Sequence, residues 1–336
     1  MKTILSAAVI LAGVSSANAD VAGLQISDVW MPHHEASTRV AIWYPSTSQQ
    51  APSLYADNPV FKGVSVHLDA PVKPGQYPVV LFSHGMGGTD RAQAWLGAAL
   101  AHRGVITVSV NHPNSTWGDF DMSEGVAHWT RAQDMSAALD ALQDKSAFAD
   151  SFDMSRVMAA GFSFGGWTAL SLGGATGNHA GIVEACETHP EMEACGLLLS
   201  PEVNMQGRDP EIWNASYADE RVTHVVAIDP GFVWGLDQTD IADLLPSTVL
   251  VGFGSPEERM LATDFDRSGL SALLGDRRTV QFAPAYHFSA MPICTPAGEA
   301  ILIEENDDPV CTDPAGSDRA SIHASIVDLI SAEFGL

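Results

Sequence analysis

The stretch Arg156-Val-Met-Ala-Ala-Gly-Phe-Ser-Phe-Gly-Gly-Trp-Thr-Ala-Leu170 decides how this chain is read. Val157 to Ala160 form a short apolar run suited to a buried strand, and Gly166 to Leu172 read as a helix. Between them, Gly161-Phe-Ser-Phe-Gly165 sets a serine at the apex of a sharp turn. Glycines flank such a serine because the turn is strained and the helix passes close by, which leaves no room for a Cβ. A hydroxyl held at the end of a strand in this way is placed to act as a nucleophile.

The same alternation extends in both directions. Gln25 to Trp30 and Arg39 to Tyr44 read as early strands, and residues 46–76 as a polar connection containing proline and glycine. Buried-type apolar runs follow at Pro78–Ser83, Val105–Val110, Val157–Ala160, Val222–Ile228, Thr248–Phe253 and Thr279–Phe282. Helical patterns at Ala92–His102, Thr130–Leu142, Gly166–Leu172, Asp264–Leu274 and Arg319–Phe334 separate most of them. Unbroken apolar strands alternating with helices predict an α/β fold, a mostly parallel eight-stranded sheet covered on both faces. Functional residues in such sheets lie just beyond the carboxyl ends of the strands.

The bulk properties narrow the partners. The 336 residues, 46% of them hydrophobic, suit one large domain over 20–336, with 176–220 as a cap-like insertion. A formal charge of −25 argues against nucleic acid and anionic lipid as partners, because the long-range field repels both. Lys2, the apolar run Ile4–Val14 and Ala17-Asn-Ala19 read as a signal peptide over 1–19, cut before Asp20. That predicts an exported protein, periplasmic or extracellular, with no stable membrane anchor. In an oxidising compartment the four cysteines are expected to pair, and the local pairing Cys186 with Cys195 and Cys294 with Cys311 is favoured among three connectivities. Oligomeric state is not legible.

A serine needs a base to take its proton and a third group to orient that base. His224, His287 and His323 follow Ser163 at a distance. His224 lies inside a strand and His323 inside a helix, so both read as structural. His287 follows the last strand in Ala283-Pro-Ala-Tyr-His-Phe288 and is the candidate base. The acid is Asp229, at the end of Val225-Val-Ala-Ile-Asp229, with Glu257 or Glu258, one strand later, as alternatives. Asp264 and Asp266 read as the solvated start of a helix. The glycine-rich turn His84-Gly-Met-Gly-Gly88 exposes backbone amides, so the N–H groups of Met86 and Phe164 are the candidate oxyanion donors. His84 reads as holding that loop in shape.

These blocks, taken together with Val40-Ala-Ile-Trp-Tyr-Pro45, Leu81-Phe-Ser-His84, Asn111-His-Pro113 and His287-Phe-Ser289, resemble the α/β-hydrolase superfamily. Within it they look like the bacterial "predicted dienelactone hydrolase" group, which is related to the secreted platelet-activating-factor acetylhydrolases. The resemblance runs in order over most of the chain after residue 20. It implies a Ser-His-Asp carboxylic ester hydrolase with a small-molecule ester substrate, of short acyl chain, including truncated or acetylated phospholipids. It also implies an acid at Asp229 and an oxyanion donor at Met86. Dienelactone hydrolases proper use a cysteine nucleophile where this chain has Ser163, which sets lactone hydrolysis apart. Amide, thioester or polyester cleavage by the same residues, and a non-catalytic binding protein of this fold, are the alternatives.

Trp117, Trp167 and Trp234 each follow a strand end and are candidates to line a substrate pocket. Glu304-Glu-Asn-Asp-Asp308 lacks the ligand spacing of a calcium loop. Neither His-x-x-x-His nor His-x-His occurs in a setting that predicts a catalytic metal, and no dinucleotide or phosphate-loop motif follows a strand. No cofactor and no metal are therefore expected.

Overall fold

The computed structural model describes residues 21–48, 50–255 and 257–336; the expected signal peptide lies outside them. Ten strands form one sheet: β1 (Ala22–Met31), β2 (Ala36–Tyr44), β3 (Ser53–Tyr55), β4 (Val64–Leu68), β5 (Tyr77–Ser83), β6 (Ile106–Val110), β7 (Phe152–Phe162), β8 (His224–Ile228), β9 (Thr248–Phe253) and β10 (Arg278–Phe282). Their spatial order is β10-β9-β8-β7-β5-β6-β2-β1-β4-β3. The six strands from β10 to β6 run parallel, β2 runs antiparallel to β6, and β1 runs antiparallel to β2.

The sheet thus has two strands more than the eight expected. Both come from the segment read as a polar connection. Leu54 and Leu68 face solvent and β3 has only three residues, so the segment carries little of the apolar signal of a strand. A second correction concerns Asp264–Leu274. Asp264 Oδ1 accepts the Asp266 and Arg267 amides, and Gly269 sits at φ +87°, so a turn occupies the first half. Only Leu270–Leu273 is helical.

Strand alternation divides the core between two faces. Val79, Leu81, Val157, Ala159, Val225 and Ala227 pack on one side, with helices α2 (His128–Lys145) and α3 (Phe164–Leu172). Val80, Phe82, Met158, Ala160, Val226 and Ile228 pack on the other. There they meet Leu96 and Leu100, of a helix (α1) spanning Ala94–His102, and Ile326 and Ile330, of the final helix over Arg319–Glu333. Period-two strands in a parallel sheet bury both sets, which is why these runs are apolar throughout.

Two disulfides close local loops, Cys186–Cys195 and Cys294–Cys311. Within 176–220, His179–Thr188 is a helix and two one-turn helices follow. Ile182, Cys186, Leu198, Met205 and Trp213 are buried in the same apolar cluster as α2 and α3, so this segment extends the main core.

Candidate active site

Ser163 occupies the turn between β7 and α3 with φ +57° and ψ −122°, a conformation that costs a β-substituted residue about 1–3 kcal/mol. The glycines around it meet a packing demand. A Cβ on Gly161 would stand 2.0 Å from the Gly165 carbonyl oxygen, and one on Gly165 would stand 1.9 Å from that of Ser83. The helix can leave the strand this abruptly only because neither side chain exists.

Ser163 Oγ lies 3.1 Å from His287 Nε2, and His287 Nδ1 lies 2.6 Å from Asp229 Oδ2. His287 opens a 3-10 turn after β10 and is nearly buried, flanked by the Phe162 ring at 4.6 Å. Asp229 is itself held at φ +44° at the end of β8. Its Oδ1 accepts the Phe253 amide at 3.1 Å and its Oδ2 also accepts Thr263 Oγ1 at 2.9 Å. Glu258 instead accepts from Ser255 Oγ at 2.9 Å, and Glu257 is exposed. The structure therefore brings Ser163, His287 and Asp229 together in a chain of hydrogen bonds, and the two glutamates stand outside it.

The glycine-rich turn abuts the serine: a Cβ on Gly85 would lie 3.2 Å from Ser163 Cβ. In this turn the Gly87 amide donates to Ser115 O and the Gly88 amide to Gly85 O, while Met86 N–H takes part in neither bond. Phe164 is the first residue of its helix, where an N–H has no intrahelical acceptor. The turn that carries Met86 thus abuts the serine, and the Phe164 amide lies at the positive end of the helix that follows it.

Beneath the turn lies a buried polar layer that sequence reasoning missed. Arg131, on α2, is fully buried and donates to Ser83 Oγ at 3.1 Å, Ser115 Oγ at 2.5 Å, Thr168 Oγ1 at 3.2 Å and the His84 carbonyl. Its guanidinium also stacks 4.6 Å from the centre of the Phe164 ring. Burial pulls Arg131 down to about 9, still above neutrality, so it remains charged. His84 contacts Gly85 O through Nδ1, and its Nε2 lies near Thr116 Oγ1 and the His112 amide. Burial first, then the nearby Arg131 charge, holds His84 well below its usual range, so it stays neutral. The one available signal was a charged residue at 131 on the face that also carries Ala132, Met135 and Ala138.

The tryptophans separate. Trp167 and Trp234 border one narrow cavity with Trp213 and Phe232, and Phe232 packs 4.9 Å from Phe164. Trp234 Nε1 donates to Leu261 O. Trp117 is 81% exposed at the tip of a two-residue ribbon and does not border that cavity. Elsewhere, His323 stacks on Trp95 at 3.6 Å and lies 3.1 Å from Ser289 O, while His224 packs on Phe334; both are structural.

A ten-stranded, mainly parallel sheet, with a serine on its strand-to-helix turn, an acid after the next strand and a histidine after the edge strand, is an α/β-hydrolase fold. Residues 18–118 match the family profile of platelet-activating factor acetylhydrolase, isoform II. In structure, the chain is similar to a ferulic acid esterase from Streptomyces cinnamoneus, with TM-score 0.59 and 18% identity over 96% of this chain and 91% of that one. It is also similar to esterase Est22, with TM-score 0.50 and 13% identity over 94% and 82% of the two chains. No curated protein matches the chain by sequence.

Proposed function

We propose that this protein is a serine carboxylic ester hydrolase using Ser163, His287 and Asp229. The observation that carries the reading is the unbroken contact from Ser163 Oγ through His287 to Asp229 Oδ2. His287 Nε2 takes the serine proton as Oγ attacks the ester carbonyl, and Asp229 stabilises the imidazolium that forms. The Met86 and Phe164 amides receive the developing oxyanion. His287 then returns its proton to the leaving alcohol, and a water activated by the same imidazole releases the acid.

Short-chain acyl esters, including acetylated or truncated phospholipids, are the proposed substrates. The match of residues 18–118 to the acetylhydrolase family supports that class. Export after removal of 1–19 is part of the same reading and is compatible with the two disulfides. None of the helices among the described residues is long and apolar enough to cross a membrane. The segment 176–220 is proposed as a cap fused to the core. Glu193 Oε2 accepts the Ala262 amide, next to the Thr263 that bonds Asp229, which supports a position over the acid's side of the site.

Hydrolysis of p-nitrophenyl esters from acetyl to long acyl, by the wild-type chain and Ser163→Ala, tests the proposal. Serine-dependent turnover that falls with acyl length is expected. Equal turnover by both proteins would overturn the nucleophile, and a preference for long chains would overturn the substrate class. Mass spectrometry of the protein recovered after export should find Asp20 as the first residue.

A further inference from the structure

At the tip of the β1–β2 hairpin, two adjacent histidines turn toward α2. His33 Nε2 lies 2.9 Å and His34 Nε2 3.1 Å from the same atom, Asp134 Oδ1, and all three ligand atoms fall within 4.8 Å of one another. Two imidazole nitrogens and one carboxylate oxygen are the donor set that divalent zinc takes in sites with an open fourth position. With bonds of about 2.0–2.1 Å, neighbouring donors around a tetrahedral ion stand about 3.3 Å apart. The two histidine–carboxylate spacings need to open by only a few tenths of an ångström.

The surroundings favour an ion over simple sharing of the carboxylate. His34 Nε2 is buried beside Asp134 yet makes no aligned hydrogen bond. Asp134 is held from behind: its Oδ2 lies 2.8 Å from His112 Nδ1, and His112 Nε2 lies 2.9 Å from Ser83 Oγ. Partners of this kind orient a metal-binding group and are part of the design of such sites. Asp134 itself is fully buried. The His33 side chain is 19% exposed, which leaves a path for the ion and for a water ligand.

We infer that His33, His34 and Asp134 bind one divalent transition-metal ion, zinc by preference, with water in the fourth position. The ion would clamp the hairpin tip to α2. Sequence spacing could not signal the site, because Asp134 lies 101 residues from His33. The inference is independent of the ester-hydrolase reading.

The test is a titration of the tag-free chain, stripped with a chelator, with Zn²⁺ in competition with a chromophoric chelator and separately with Co²⁺. One tight zinc per chain is expected, together with the visible absorption of four-coordinate cobalt. His33→Ala and His34→Ala should each weaken the tight step by more than about 100-fold, exceeding the effect of losing an outer partner. Asp134→Asn could fail to fold, so the two hairpin variants, with native circular dichroism as the control, carry the test. Absence of a tight step would overturn the proposal and leave Asp134 as a hydrogen-bond acceptor only. So would a tight step of equal strength in all three proteins, which would place the ion elsewhere on this acidic chain.

Discussion

Asp229 accepts His287 Nδ1 at 2.6 Å through the same Oδ2 that takes Thr263 Oγ1, while its Oδ1 is tied to the Phe253 amide. Every donor on the acid comes from a different stretch of chain. The carboxylate is therefore fixed in direction before any substrate arrives, which is what an orienting acid requires.

That arrangement separates the two candidate acids. Asp229→Asn should lower kcat by about 10⁴-fold, since the amide cannot hold His287 in the correct tautomer. Glu258→Gln should stay within about twofold of wild type, because Glu258 bonds Ser255 while His287 Nδ1 is taken by Asp229. Thr263→Val should cost about tenfold in kcat by removing one donor from Asp229. Steady-state kinetics on p-nitrophenyl acetate would check all three, and comparable losses in Asp229→Asn and Glu258→Gln would contradict the assignment.

Arg131 should matter without touching substrate. Arg131→Met leaves the buried His84 carbonyl without that donor, a loss of about 1–3 kcal/mol. Arg131→Lys keeps the charge but cannot meet four acceptors spread over one planar fork. It should unfold at lower urea than wild type and above Arg131→Met. Its kcat should fall more than its KM rises, because the loop carrying Met86 loosens. Urea midpoints and a kcat–KM split on the same samples would decide.

Gly165 in the elbow and Gly196 in a short helix differ in steric demand. Gly165→Ala places a Cβ against the backbone of Ser83, so it should abolish activity and cost at least about 3 kcal/mol. Gly196→Ala meets nothing within 4 Å and lies in a short helix, so it should be neutral or stabilise by up to about 1 kcal/mol. Paired thermal melts test the difference.

Acid should unfold this protein earlier than its carboxylates alone would require. Burial lowers His112, His128 and His323 from 6.5 to about 4. Between those values the unfolded chain binds protons that the folded chain refuses. Stability is thus full above pH 6.5 and falls as pH drops toward 4, by at most about 3 kcal/mol per histidine. His323→Gln, which can keep a bond to Ser289 O, should flatten that slope by about one proton. Urea midpoints measured from pH 7.5 to 4.5 would show it, and an unchanged slope would exclude His323 as a contributor.

Much of the site was legible because its parts lie where a parallel sheet must put them. Ser163, Asp229 and His287 each follow an apolar run, and the carboxyl ends of adjacent parallel strands converge on one edge. The choice of Asp229 over Glu258 was not legible from strand order alone, because both follow strands on that edge. Trp117 illustrates the opposite case: it follows a strand, but its two-residue ribbon carries it out into solvent.

By itself, the sequence determined the strand–helix alternation, the strained serine turn and the local cysteine loops, since these depend on neighbours a few residues apart. The tertiary structure alone decided which acid meets His287, the placement of Arg131 under the Met86 turn and the convergence of His33 and His34 on Asp134. Those contacts join segments up to about 100 residues apart, and their geometry follows from sheet register and helix packing, which no local pattern encodes.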